Sequence, residues 1–472
     1  MKFTHDAIVI GGGAAGLTAA GGCALFGLDV ALIEGHKMGG ECLNNGCVPS
    51  KALITAAKRA AEAREERRYG ITLAAPQVDW SGVHAHVHRA IADIEHHDSA
   101  ETFEAMGVEV IKGDATLTGK YTVEVNGRTL SAPRIVLATG SKPFVPPVEG
   151  LGDVRYLTNE NLFDLTEQPD HLVIIGGGVI GMEMAQSFRR LGSDVTVINP
   201  GPLMGRDDAD SVAVVAGVMR NEGVRFVDGK AERVAKDGDS ITVHTDGGEA
   251  ITGSHLLVAV GRTARTEGFG ADTLGLETGG NGFAVDARRR TSMKHIYAIG
   301  DCREGPRLTH VAGYEGSNVA LEICTGVPAK VDWTALPWCT FTEPEVAQVG
   351  LTEADARERH GDGITVITEP FADNERAVAE GSTLGHLKLV LKGKKVIGAS
   401  ICGKHAGEML LPLTQSITGK SSTFALGSAI VSYPTRSEIL KAAAFKAWEP
   451  TVFGDLPKKY ARTVAGLRKR FA

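Results

Sequence analysis

One pattern occurs twice in this chain and restricts what it can fold into. The apolar run Asp6-Ala-Ile-Val-Ile10 leads into Gly11-Gly-Gly13-Ala-Ala-Gly16, a stretch of small residues suited to a helix, and then Asp29-Val-Ala-Leu-Ile-Glu34. The same grammar returns 165 residues later, where His171-Leu-Val-Ile-Ile175 leads into Gly176-Gly-Gly178-Val-Ile-Gly181, a helix, and Asp194-Val-Thr-Val-Ile198. Each is a strand–helix–strand unit whose glycines allow a tight turn, close approach of backbone to a pyrophosphate and tight helix packing, while the helix N-terminus favours phosphate charge. Gly11, Gly13, Gly16 and Glu34 are therefore expected to hold one dinucleotide, with Glu34 placed for a ribose diol. Gly176, Gly178, Gly181 and Asn199 are expected to hold a second. Two such sites in one polypeptide suggest a relay, with one dinucleotide held permanently and the other visiting as a hydride carrier.

The rest of the composition is compatible with that architecture. At 472 residues the chain is long enough for about three domains, and 43% hydrophobic against 23% charged residues excludes wholesale disorder. The 59 glycines cluster in loops rather than repeats. Fifty basic against 57 acidic side chains give a net charge of −7, so no global field exists to attract nucleic acid. No run of 18 apolar residues occurs, and association with a membrane is not expected. The glycine-rich stretch 7–33 lacks the cationic flank and cleavage site of an export signal, which together with seven scattered cysteines predicts a cytoplasmic protein without a structural disulfide framework.

Breaks in pattern set the domains. Arg134 to Pro143 is a buried strand interrupted by Gly140 and Pro143, and Pro146, Pro147 and Gly150 continue the break. The strand Leu256–Val260 ends at Gly261-Arg262, and Thr291 to Asp301 restores a strand closed by Gly300 and Asp301. The expected fold class is α/β. Residues 1–150 and 270–335 form one Rossmann-like domain, residues 151–269 form a second inserted into it, and residues 336–472 form an α+β third domain.

Cys42 and Cys47 lie in Gly39-Gly-Glu-Cys-Leu-Asn-Asn-Gly-Cys-Val-Pro-Ser-Lys51, ahead of a long helix. Gly46 and a distorted first turn can bring the sulfurs together, and the helix N-terminus with Lys51 nearby predicts a thiol of low pKa. A resident metal site would need more ligands, and none is predicted. At this point the chain resembles the pyridine nucleotide-disulfide oxidoreductases, the group that includes dihydrolipoamide dehydrogenase, glutathione reductase and mercuric reductase. Beyond the cysteine motif, the likeness rests on Ala138-Thr139-Gly140, Val260-Gly261-Arg262, Thr291 to Asp301, Leu308 to Glu315 and Phe341 to Gly350.

The resemblance implies FAD on the first unit, with Glu34 on the adenosine ribose and Asp301 near the ribityl chain, and NAD or NADP on the second. It implies cofactor roles for Thr139, Gly140, Gly261, Arg262 and Gly300, an ion pair of Lys51 with Glu183 beside the flavin, and a homodimer through the third domain. It also implies electron flow from NAD(P)H through FAD to a Cys42–Cys47 disulfide, with Cys47 facing the flavin and Cys42 attacking the acceptor.

One departure bears on that acceptor. Disulfide-reducing members carry His-Pro-Thr-x-x-Glu near the C-terminus, whereas this chain has Tyr433-Pro434-Thr435-Arg436-Ser437-Glu438. A phenol of pKa about 10 is a poor base near neutrality and holds no charge to stabilise a thiolate. A tyrosine there resembles mercuric reductase, so the favoured reading is a reductase of a metal ion or other electrophile. A lipoamide-type or other disulfide reductase comes second, other small-molecule acceptors such as quinones third, and a non-catalytic redox sensor last.

The choice of nicotinamide stays open. Asn199-Pro-Gly-Pro202 offers neither the acid of NAD-selective sites nor the arginines of NADP-selective ones; Gly181 leans to NAD, and Arg206 is available for a phosphate. His84, His86, His88, His96 and His97 read as a solvated helix rather than a metal tract. Cys23, Cys302, Cys324, Cys339 and Cys402 read as packing residues. The tail after Trp448 is basic, with an apolar stripe of Tyr460, Val464, Leu467 and Phe471 expected to dock on the protein's own surface.

Overall fold

The computed structural model describes residues 2–65, 69–238 and 240–471. They divide into two compact units, one of Met1–Gly201 with Gly223–Asp332 and one of Pro202–Glu222 with Trp333–Ala472.

The first unit is built on two parallel sheets. One has the strand order Ile296–Ala298, Ile135–Leu137, Ala7–Ile10, Val30–Glu34, Val108–Lys112. Its three central strands are apolar at nearly every position because both faces are covered. Ile8, Ile10, Ile33, Ile135 and Leu137 point to one side, where they meet Leu117, Val123, Val125 and Leu130 of a small antiparallel sheet. Val9, Val30, Leu32 and Val136 point to the other, against the helices Ala14–Leu25 and Thr309–Thr325. Successive side chains alternate across a strand, so a single apolar run feeds two cores. The second parallel sheet runs Arg225–Asp228, Asp194–Asn199, His171–Ile175, His255–Val258, with the helix Val179–Leu191 following its third strand.

The two sheets use the same turn. Gly11 (φ +109°) and Gly176 (φ +114°) open their loops, and a Cβ on Gly16 or Gly181 would sit 1.8 or 1.9 Å from the carbonyl oxygen of Gly11 or Gly176. No side chain fits there, which is why the third glycine of each motif is obligatory.

The second unit carries a five-stranded antiparallel sheet in the order Pro337–Thr340, Glu345–Gly350, Lys395–Gly403, His386–Lys392, Thr365–Pro370. Leu387, Leu389, Leu391 and Ile401 join Leu413, Ile417, Ile439 and Leu440 of two helices in one core. The helix Ala209–Asn221 belongs to this unit, capped by Asp208, and Lys388 fastens its start. The buried Lys388 ammonium donates to Asp208 at 2.8 Å and Asp210 at 2.7 Å and lies 3.0 Å from Glu353. These carboxylates raise its pKa despite the opposing effect of burial.

Two expectations are corrected here. The terminal helix Asp455–Phe471 buries none of its residues, so its apolar stripe is not docked on this protomer. Local periodicity identified the stripe, but what covers it is a tertiary matter. Cys23, Cys302 and Cys402 are buried as expected, whereas Cys324 and Cys339 are only half-buried. The helix Trp80–Glu95 brings the His84 and His88 rings into tilted contact, with centroids 4.2 Å apart. Among the described residues no group of three or more His, Cys, Asp or Glu is arranged for a metal ion, and no helix is long and apolar enough to cross a membrane.

Candidate active site

Cys42 and Cys47 sit on two helices rather than one. The short helix Gly40–Asn44 ends at Asn45-Gly46, and Cys47 starts the helix Cys47–Glu65. A Cβ on Gly46 would lie 2.9 Å from the Glu41 carbonyl oxygen, so the break depends on glycine. It folds the two thiols into hydrogen-bonding contact. Their chemistry diverges as a result. The Cys42 thiol holds its proton well above the ordinary range, first because it donates to Cys47 and second because it is half-buried. Cys47 is lowered to about 6 by that hydrogen bond, by Thr309 and by the charge of Lys51, which together exceed the cost of desolvation. The Thr309 hydroxyl stands 3.2 Å from the Cys47 sulfur and also bonds Cys42.

Lys51 lies one turn along the same helix, and its ammonium donates to Glu183 at 2.8 Å. Glu183 comes from the helix Val179–Leu191 that follows the second glycine turn, and its side chain is 3% exposed. The helix bearing Cys47 is thus tied to the second dinucleotide unit by a charge pair with one end in solvent.

Beside Cys42, Glu41 forms an ion pair with Arg262 and accepts a hydrogen bond from Asn159. Burial raises the Glu41 pKa against the opposing pull of Arg262. The Arg262 Nε–H donates to Ser141 at 2.8 Å, and the Ser141 hydroxyl donates to Asp301 at 2.7 Å. A continuous polar chain therefore runs from the cysteine helix to the Gly300–Asp301 turn. That turn is held from behind: the Gly300 N–H donates to Glu315 at 2.9 Å, and Glu315 is fully buried against Arg303 at 3.0 Å and Arg289 at 3.3 Å. The Thr139 hydroxyl donates to the Arg265 carbonyl at 2.6 Å, which fixes the loop after strand Ile135–Leu137. Gly140 and Gly261 both have positive φ, and a Cβ at either would meet open space.

Glu34 ends the second strand of the first unit with its carboxylate accepting from the Gly12 N–H at 2.5 Å and the His36 N–H at 2.6 Å. Asn199 ends the corresponding strand of the second and accepts from the Gly177 N–H at 2.8 Å. With Gly13 and Gly178 at the two helix N-caps, both turns offer backbone donors and a polar strand end where a dinucleotide's pyrophosphate and ribose belong. The donor sets fit FAD on the first turn and a nicotinamide nucleotide on the second.

Tyr433 and Glu438 lie in the second unit. Tyr433 is 71% exposed, and its phenol is bonded to Glu375, whose charge raises the phenol pKa. Glu438 accepts from the Thr435 N–H at 3.3 Å and opens the helix Glu438–Lys446.

Sequence reasoning passed over Thr309, Glu41, Asn159 and Ser141. Thr309 lies within the Leu308–Glu315 motif and Glu41 beside Cys42, so local signals existed for both. Asn159 and Ser141 gain meaning only from the side chains that the fold brings to them.

Comparison with known proteins agrees with this geometry. Residues 5–316 match the pyridine nucleotide-disulphide oxidoreductase family, and residues 336–444 match its dimerisation domain, which supports a homodimer. The chain is 33% identical to a mercuric reductase of Lysinibacillus sphaericus over 93% of its own length and 82% of that protein. It is 34% identical to dihydrolipoyl dehydrogenase 3 of Haloarcula marismortui over 96% and 98%. Among solved structures it resembles LpdA from Mycobacterium tuberculosis (TM-score 0.86, 28% identity, 93% and 99% covered). It also resembles the Cu(II) complex of the HOCl-induced flavoprotein disulfide reductase RclA from Escherichia coli (TM-score 0.83, 27% identity, 94% and 100% covered). Two glycine turns, a thiol pair at a helix break and matches over nearly the whole chain lead to one conclusion: the protein belongs to the pyridine nucleotide-disulphide oxidoreductase family and is an FAD-dependent oxidoreductase that uses a nicotinamide nucleotide.

Proposed function

We infer that the enzyme uses NAD(P)H to reduce a soft metal ion or comparable electrophile at Cys42 and Cys47. When bound, FAD supplies two-electron transfer between the nicotinamide and the cysteine pair. Gly11, Gly13, Gly16, Glu34, Thr139, Gly140, Gly300 and Asp301 would hold it, and Gly176, Gly178, Gly181, Asn199 and Gly261 would hold the nicotinamide nucleotide. Lys51 and Glu183 set the charge beside Cys47, and Arg262 orients the Glu41 and Asp301 carboxylates.

The observation that carries this reading is the tyrosine at position 433, where disulfide-reducing members carry histidine, together with a pair of thiols in contact whose Cys47 member is the more acidic. A disulfide acceptor requires Cys42 to lose its proton and the departing thiolate to gain one, and histidine performs both steps well at neutral pH. Tyr433, with its pKa raised by Glu375, performs neither. A soft dication needs no such shuttle. It binds the Cys47 thiolate, displaces the Cys42 proton to water, and is reduced by two electrons as the dithiolate closes to a disulfide, which matches the thiol preference of soft metals. The likeness to mercuric reductases supports the same reading. The equally extensive likeness to dihydrolipoyl dehydrogenases supports disulfide reduction as the second reading.

Anaerobic titration of the yellow enzyme with NADH and NADPH, followed by turnover with Hg(II), lipoamide and glutathione disulfide, tests it. Turnover with Hg(II) alone upholds the reading. Turnover with disulfides alone transfers the chain to the disulfide reductases. Tyr433→His should raise disulfide turnover if the missing base is the only obstacle.

A further inference from the structure

Among the described residues, the helix Asp455–Phe471 is a long element whose amphipathic pattern buries none of its side chains. Leu456, Tyr460, Val464, Leu467 and Phe471 recur at spacings of three and four and form one stripe. Leu456 (82%), Tyr460 (73%) and Phe471 (86%) are highly exposed, Leu467 is exposed and Val464 is half-buried. Val452 and Phe453, also exposed, continue the apolar surface towards the preceding turn. Lys458, Lys459, Arg462, Arg468, Lys469 and Arg470 lie off the stripe, and Asp455 is the helix's one acid.

This segment is therefore strongly cationic within a chain of net charge −7. It also lies beyond residue 444, where the match to the family's dimerisation domain ends. A narrow aromatic and aliphatic stripe, a basic opposite face and low overall hydrophobicity are the attributes of helices that lie in the plane of a lipid interface.

We propose that Asp455–Phe471 docks the enzyme peripherally on an anionic phospholipid surface. Leu456, Tyr460, Leu467 and Phe471 enter the boundary between headgroups and acyl chains, and the six basic side chains meet the lipid phosphates. Charge complementarity selects this occupant. The stripe alone would suit a second copy of the chain, but the cationic face gains most from a dense sheet of negative charge, to which each Lys or Arg contributes about 1 kcal/mol, or roughly fivefold in affinity. The proposal is independent of which acceptor the enzyme reduces.

The test is co-sedimentation of the full-length holoenzyme with vesicles of phosphatidylcholine containing phosphatidylglycerol, against vesicles of phosphatidylcholine alone. The expected result is binding to the anionic vesicles only, with release at high salt, where the Debye length shrinks to a few ångströms. Lys458→Gln with Arg462→Gln should weaken binding on the order of 20-fold, and Leu456→Gln with Leu467→Gln should weaken it independently of salt. A chain ending at Pro450 should stay in the supernatant while its flavin is still reduced by NAD(P)H, which shows that it remains folded. Failure of the full chain to pellet, or equal pelleting of the shortened chain, overturns the proposal. So does a fall in assembly mass on shortening without vesicle binding, which assigns the stripe to a second copy.

Discussion

Glu34 and Asn199 occupy equivalent places in the two glycine turns, each accepting the N–H of the residue between the first two motif glycines, Gly12 at 2.5 Å and Gly177 at 2.8 Å. The hydrogen-bond geometry is common to both; the charge is not. A carboxylate at this point favours a ribose diol and repels a 2′-phosphate, whereas a neutral amide does neither. Asn199→Asp should leave NADH turnover within about twofold and raise the KM for NADPH by about tenfold, since like charges about 4 Å apart at a protein surface cost on the order of 1–4 kcal/mol and about 1.4 kcal/mol is tenfold. Unchanged discrimination between the two nucleotides would show that Asn199 does not face the ribose.

The thiol pair has a predictable pH response. In the reduced enzyme the Cys47 pKa lies at about 6, below the ordinary thiol value, so the thiolate is present above that pH and is lost as pH falls through it. The stabilisation from this charge is complete above the pKa of an unfolded cysteine and disappears on acidification through the folded value. Alkylation of Cys47 should follow a titration centred near 6. Cys42→Ala removes the largest cause of the shift and should move the midpoint up by about one unit or more.

The Lys51–Glu183 pair joins the cysteine helix to the second dinucleotide unit at 2.8 Å. Glu183→Gln keeps the shape and deletes the charge. Flavin reduction by NAD(P)H, followed by stopped-flow absorbance, should slow by about a hundredfold, the lower end of the range for losing one preorganised electrostatic contact. Melting temperature should change little, because the Lys51 end of the pair is partly solvated.

In the second unit, Lys388 is the counter-ion of a buried carboxylate, Asp208, at 2.8 Å. Lys388→Met should destabilise this unit by about 3 kcal/mol, because it leaves the buried Asp208 carboxylate without its lysine counter-ion. Protease sensitivity of the segment 202–222 should rise in parallel, as the helix start loses its fastening.

Asp207 points the other way. Burial raises its pKa to about 6 even though it accepts from the Trp338 indole at 2.8 Å. The native state then binds an extra proton between the unfolded value and 6, so stability falls as pH rises through that window and the full cost is felt above it. Asp207→Asn should be neutral below about pH 4 and stabilising by about 1–3 kcal/mol above pH 6, as read by chemical denaturation at the two pH values.

The sequence by itself determined the fold class, the two dinucleotide turns and the family. These depend on short-range physics: apolar runs for strands covered on both faces, glycines where no Cβ fits, and a helix N-terminus after each turn. Gly46 likewise announced the break between Cys42 and Cys47. Tertiary structure decided the electrostatics. Thr309 reaches Cys47 across 262 positions and Arg262 reaches Glu41 across 221, so neither contact leaves a trace in local spacing. It also decided the fate of amphipathic surface. The Lys388 strand and the terminal helix both carry apolar and charged residues at regular spacing, yet one buries its lysine among carboxylates while the other buries none of its stripe. Periodicity states which residues share a face, and only the packed chain states what that face meets.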